Sequence, residues 1–242
     1  MLPKIIHYCW FGGNPKPDIV ERCVSSWRQF CPDYQIIEWN ETNFDIQDTP
    51  RFVREAYTNK KWAFVSDYAR LKIIYENGGV YLDTDVELVK PLDLLSAKCS
   101  HGFMGFEQDT QVNTGIGFAA EKGNNIVGEM MMEYHRLQFD PDNLDKIACP
   151  IINTKVLMRH GLKANGLMQQ VDDMIVLPTE YLCPESMYTG QVNYTSNTVS
   201  VHHYSASWMP AKERFRTKMI ICIKKLLPKL IVEKIRNLIR NS

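Results

Sequence analysis

The stretch Ala63–Glu87, "AFVSDYARLKIIYENGGVYLDTDVE", decides the fold. From Ala63 to Asn77 its apolar residues recur at helical spacing, and Gly78 follows as a left-handed helix cap. The β-prone "VYL" comes next and runs straight into Asp83-Thr84-Asp85. Aspartate is a poor strand residue and costly to bury, so two of them at a strand's end need a reason. On an extended segment, positions i and i+2 share a face, so Asp83 and Asp85 point the same way with Thr84 opposite. In open α/β sheets ligands gather beyond the carboxyl ends of the strands. A carboxylate pair there suits a hard divalent ion, Mn2+ or Mg2+, that keeps coordination positions for phosphate oxygens. A polar turn after a strand is the plainer reading of the same three letters.

The rest of the chain fits this unit. "KIIHYCW" (Lys4–Trp10) reads as a first strand, and Pro17 opens a helix through about Phe30 with Asp18 and Glu21 in its first turn. "YQIIEW" (Tyr34–Trp39) is a second strand. A helix starts after it, with Thr49 as N-cap and Pro50 at its first position. Further strands are expected at "GFMGFE", "NTGIGFAA", "MIVLP" and "TVSVHHY", and helices near Ile126–Leu137 and Thr154–Gly161. Alternating β and α segments predict an α/β fold with a mostly parallel central sheet flanked by helices. The 242 residues divide into a body, 1–213, and a basic amphipathic helical tail, 214–242.

Composition narrows the class. Lys+Arg and Asp+Glu are both 28, yet Arg214–Ser242 holds nine bases and a single acid, Glu233, leaving the body near −8 and the tail near +8. Seven scattered cysteines with no C-x-x-C pair argue against a disulfide framework or zinc site and for a reducing compartment. The opening "MLPKIIHYCWFGG" does not read as a signal peptide, and no apolar run approaches the ~20 residues of a membrane span. The expected location is cytoplasmic. In the tail, Ile220, Ile223, Leu227, Leu230, Ile231, Ile235 and Leu238 fall at helical spacing among lysines and arginines, divided at Pro228. Such a segment docks on an anionic membrane surface, making the protein peripheral on the membrane's inner face; packing against the acidic body is the alternative. No aromatic interleaving or recognition motif points to nucleic acid.

On the helix before the aspartates, Asp67 and Arg70 lie at i and i+3 on a partly apolar face with Ala63 and Ile74. They read either as a helix-stabilising ion pair or as a carboxylate and guanidinium held over the strand ends to grip sugar hydroxyls.

The whole Ala63–Glu87 segment, the opening "LPKIIHYCWFGG" and the late "HHYSASW" together resemble the DXD-containing sugar-transferase family that includes the yeast Golgi α-1,6-mannosyltransferase. In particular the chain resembles bacterial members from capsular and surface polysaccharide clusters, and the resemblance runs from Leu2 to about Pro210. The resemblance implies a GT-A fold (a Rossmann-like nucleotide-diphospho-sugar transferase) and metal-dependent, retaining transfer of a hexose to a glycan acceptor. It implies Asp85 as direct metal ligand, Asp83 as the carboxylate that touches the donor and orients the metal, and Asp67 and Arg70 as the sugar-binding pair. Trp10 falls where similar enzymes stack on the nucleobase, with a core tryptophan as the alternative. Gly12 and Gly13 would let the backbone approach the nucleotide, or form a plain turn. Asn113 is expected to face the donor sugar or the acceptor, and Ser207 and Trp208 resemble donor-phosphate contacts in a closing loop. Adjacent histidines on a strand face opposite ways, so one of His202 and His203 is expected to bind metal, and His203 is the choice. UDP-linked hexoses are the expected donors, and a lipid-linked acceptor would give membrane docking a purpose. The alternatives are a nucleotidyltransferase acting on a sugar phosphate, disfavoured by the lack of a dense glycine-rich basic loop in "FGGNPKPD", and an inactive sugar-binding relative.

Overall fold

A computed structural model describes residues 2–141, 143, 147–186 and 191–205. The tail 214–242, Ser207 and Trp208 lie outside the described residues. The β-prone segments assemble into an eight-stranded sheet: β1 (Ile5–Cys9), β2 (Gln35–Trp39), β3 (Gly79–Tyr81), β5 (Gly102–Gln108), β6 (Gln111–Val112), β7 (Phe118–Ala120), β8 (Gln169–Val171) and β9 (Met174–Leu177). The order is β2-β1-β3-β7-β5-β9-β8, with β6 paired to β5. Pair directions make β1, β2, β3, β5 and β9 run one way and β6, β7 and β8 the other. The sheet is mostly parallel but mixed, because β7 lies antiparallel between β3 and β5. A separate antiparallel pair joins β4 (Val86–Leu88) to β10 (Ser200–His202).

Alternate side chains along the strands feed two cores, one on each sheet face. Tyr81, Met104, Phe118 and Ala120 pack beneath α2 (Arg51–Thr58), α3 (Trp62–Asn77), α5 (Asn125–Glu133) and α6 (Cys149–Arg159). Val80, Leu82, Phe103 and Ala119 pack on the other face with α1 (Asp18–Phe30) and the short α7 (Thr179–Leu182). The remaining helices among the described residues are the single turn α4 (Asp93–Ser96) and a 3-10 turn at Tyr134–Arg136. Helix α3 is more deeply sunk than its sequence suggests: Asp67 and Arg70 are buried together with Leu71, Ile73 and Ile74. Each of those aliphatic side chains contributes about 1.5–3 kcal/mol on burial, which offsets part of the cost of carrying the two charged groups inward.

Several local expectations are corrected. Thr49 does not cap α2; its hydroxyl donates to Ile46 O at 2.6 Å, and Pro50 takes the cap position ahead of Arg51. Gly78 has positive φ (69°) but extended ψ (−176°), so it is not an αL cap. A Cβ there would lie 2.9 Å from Lys122 N, and one at Gly79 2.9 Å from Ile5 O, so the glycine pair lets the chain pass from helix to strand against neighbouring backbone. Asp83 and Asp85 sit in a turn between β3 and β4, closed by Val86 N–H to Asp83 O at 3.0 Å, rather than on a strand. The shared-face reasoning for them does not apply.

His7 on β1 is buried and fully bonded: Nε2 lies 3.1 Å from Gly78 O, and Trp39 Nε1 donates to Nδ1 at 3.0 Å. Those partners fix the neutral Nε2–H tautomer, and burial pushes the imidazole down to about 4, against the pull of Gly78 O. Between pH 6.5 and 4 the unfolded chain takes up a proton here that the folded chain refuses, so stability present above 6.5 is lost as pH falls. Urea unfolding across this range is expected to show His7→Gln losing about 3 kcal/mol less than wild type, and equal losses would contradict the assignment.

Candidate active site

The strand directions bring the chemistry to one edge. Strands β1, β3 and β5 run the same way and end at the sheet's carboxyl rim, β1 beside β3 and β5 one strand further on across β7; they deliver Trp10, Asp83 and Glu107 respectively, and the loop entering antiparallel β7 adds Asn113 and Gly115. The pairing of β10 with β4 then sets His202 opposite Val86, one residue after Asp85.

Asp85 is buried and held on two sides. Ser205 N–H donates to its Oδ2 at 2.8 Å, and His202 Nε2 lies 3.2 Å from its Oδ1. The intervening Tyr204 takes φ +47°, which turns the chain so that Ser205 N–H faces the carboxylate. His203 points away, with Nε2 2.7 Å from Glu87 Oε2 and 3.2 Å from Arg22 Nη2. The two histidines do face opposite sides, but it is His202, not the expected His203, that joins the aspartates.

Asp83 is gripped from the helix side. Arg70 Nη2 donates to its Oδ1 and Oδ2 at 3.0 and 3.2 Å, and Tyr81 Oη donates to Oδ1 at 2.9 Å. The same Nη2 lies 3.0 Å from Asp67 Oδ1, so Arg70 bridges α3 to the turn instead of only pairing along its helix. Asn113 braces this group. Its Oδ1 accepts from Gly115 N–H at 2.7 Å and from Cys149 Sγ at 3.4 Å, while Nδ2 donates to Glu107 Oε1 at 3.1 Å. Gly115 fits because it has no side chain: a Cβ would stand 2.5 Å from Asp83 Oδ2 and 2.9 Å from Arg70 Nη1.

Electrostatics separates the three acids. Burial alone would raise Asp85, yet His202 and the Ser205 N–H outweigh it and hold the carboxyl well below the usual range. Burial pushes Asp67 up to about 6 against the pull of Arg70, and it raises Asp83 as well. Burial would lower His202, but Asp85 holds it well above its ordinary value.

Asp83, Asp85 and His202 each offer a ligand atom, all within 4.8 Å of one another. Ligands about 2.1 Å from one hard cation lie at most about 4.2 Å apart, so a contraction of a few tenths of an ångström seats an ion here. Two carboxylates and an imidazole suit Mn2+ or Mg2+, and ligation would require His202 to be neutral.

At the end of β1 lies an open cleft of about 560 Å³ lined by Trp10, Gly13, Asn14, Lys16, Glu38 and Asn40, among others. Trp10 is partly buried and its indole N–H donates to Asn14 O at 2.7 Å. Gly12 is required by a protein contact, since a Cβ would meet the Trp62 indole at 2.4 Å; Gly13 has open space around it. Sequence reasoning offered His202 only as the alternative to His203, and it missed Tyr81, Gly115, Cys149 and Glu107. Only Glu107 had a signal, an acid near the end of the apolar strand "GFMGFE", the same signal that marked Asp83.

The chain has a GT-A fold, and its residues 17–101 match the family described as "Glycosyltransferase sugar-binding region containing DXD motif". That stretch contains Asp67, Arg70, Asp83 and Asp85 but ends before Asn113 and His202. Among curated proteins the chain is similar to inositol phosphoceramide mannosyltransferase 1 of Schizosaccharomyces pombe, 32% identical over 110 residues, 41% of this chain and 33% of that protein. It is also similar to inositol phosphoceramide mannosyltransferase 3 of the same organism, 32% identical over 97 residues, 39% of this chain and 27% of that protein. The matched region thus spans about a third of the length of these relatives. Among solved structures the PaToxG glycosyltransferase superposes with a TM-score of 0.50 at 20% identity, over 65% of this chain and 68% of that one, and shares the fold.

Proposed function

We propose that the protein is a metal-dependent, retaining glycosyltransferase that moves a hexose from a nucleotide-diphospho-sugar to a glycan acceptor. The observation that carries this reading is the convergence of Asp83, Asp85 and His202 at the sheet rim, with Arg70 and Asp67 reaching over from α3. A bound Mn2+ or Mg2+ would neutralise charge on the departing diphosphate. Asp85 and His202 would hold the ion, and the Ser205 N–H keeps Asp85 oriented. Asp67 and Arg70, fixed by burial, bind hydroxyls of the transferred sugar with little loss of side-chain freedom, and Asp83 positions the donor between them and the ion. The cleft at Trp10, next to β3 through β1, receives the nucleoside, with the indole available for stacking.

Retention follows from attack on the face that the leaving group vacates: the acceptor oxygen bonds to the anomeric carbon, the carbon–phosphate oxygen bond breaks, and the acceptor's proton passes to that phosphate oxygen. The curated relatives are named for a ceramide-based acceptor, and this supports a lipid-linked acceptor here. The basic tail would bring the enzyme to such a substrate on an anionic membrane, in surface or capsular polysaccharide synthesis.

A thermal-shift screen of UDP-linked hexoses and GDP-mannose, each with and without Mn2+, tests the reading. Metal-dependent stabilisation by one donor, followed by slow release of its hexose to water, is the expected result. No shift with any donor in the presence of metal would refute it.

A further inference from the structure

Glu107 has no place in the reading above, yet its surroundings are specific. It lies at a β-bulge: Phe106 pairs with Val112 and Gln108 with Gln111, so β5 advances two residues where β6 advances one. Bulges re-aim side chains and recur beside active sites. The carboxylate is buried, accepts from Asn113 Nδ2 at 3.1 Å, and lies with Oε1 4.0 Å from His202 Nδ1. That nitrogen is itself buried and has no hydrogen-bond partner, a costly condition for an imidazole N–H. A ring movement of about 1 Å closes the gap to hydrogen-bond length.

We propose that Glu107 is a positioning residue, accepting the Nδ1–H of His202 so that Nε2 presents its lone pair toward Asp83 and Asp85, while its bond to Asn113 ties this imidazole to the loop that packs on Asp83. The inference rests on the metal-dependent reading of the site. Ligating histidines generally donate their second N–H to a carboxylate or carbonyl, which fixes the tautomer and strengthens the ligand. Glu107 supplies that acceptor from the end of β5, and one carboxylate thereby couples the His202 side of the site to the Asn113–Gly115 side.

The test is Mn2+ binding to the full chain without donor, followed by electron paramagnetic resonance of the free ion. Glu107→Gln is expected to weaken Mn2+ about 10- to 100-fold, with unfolding of the metal-free protein close to wild type. Wild-type binding together with an unchanged Kd in Glu107→Gln overturns the inference alone. Absence of Mn2+ binding by wild type overturns both the inference and the functional reading. Should Glu107→Gln fail to fold, Glu107→Asp decides, because it keeps the charge but draws the carboxylate back from His202 Nδ1. An unchanged Kd in that variant overturns the positioning role, and a weakened one supports it.

Discussion

Asp85→Asn is expected to lower metal-stimulated turnover by about a thousandfold or more, with the fold retained. Stabilising charge on a departing diphosphate is worth several kcal/mol, and each 1.36 kcal/mol is tenfold in rate. The replacement is isosteric. Its amide oxygen can still accept the Ser205 N–H that now bonds Asp85 at 2.8 Å, and His202, no longer facing a carboxylate, returns toward its ordinary range. Neither change opens a cavity, so circular dichroism should stay close to wild type, while loss of the buried Asp85–His202 pair lowers the unfolding midpoint. Donor hydrolysis assayed across a Mn2+ titration measures the effect. Full turnover in the variant at saturating metal would mean that the Asp83–Asp85–His202 cluster is not where the ion acts.

Gly115→Ala should cost about a hundredfold in kcat/KM through a different route. The added methyl would sit 2.5 Å from Asp83 Oδ2, 2.9 Å from Arg70 Nη1 and 3.0 Å from Asn113 Oδ1. Polar atoms cannot approach a methyl group that closely, so Asp83 must turn out of its two bonds to Arg70 or the loop must lift. The Arg70–Asp83 pair is only part-buried, so breaking it costs less than the ~3–5 kcal/mol of a fully buried pair, and Asp67 remains beside Arg70 and softens the loss further. A crystal structure of the variant would show Asp83 displaced, and kinetics would show KM for the donor rising as kcat falls. Wild-type kinetics with Asp83 unmoved would contradict the packing described for this loop.

Part of the site was legible before any coordinates because its signals are local. The helix over Ala63–Asn77, the glycine pair and the short strand are written in spacing and residue type, and the two aspartates stand out as acids where acids are expensive. The choice between His202 and His203 was not local. Strand alternation says only that they part company; which of them meets Asp85 depends on β10 pairing with β4 in one register, a contact between segments more than a hundred residues apart. Glu107 and Gly115 depend likewise on a bulge in β5 and on β7 entering the sheet between β3 and β5. A glycine reads as a turn until the carboxylate it would strike is located.

The sequence by itself determined the α/β class, the helix–turn–strand unit and the residue types that favour a hard cation, since helical spacing, β-propensity and the cost of buried charge act over a few neighbours along the chain. Only the tertiary structure decided the mixed sheet, the placement of Asp83 and Asp85 in a turn, the bridge from Arg70 to Asp83 and the selection of His202. Each of those depends on strand direction and register, set when distant segments compete to bury the same apolar faces.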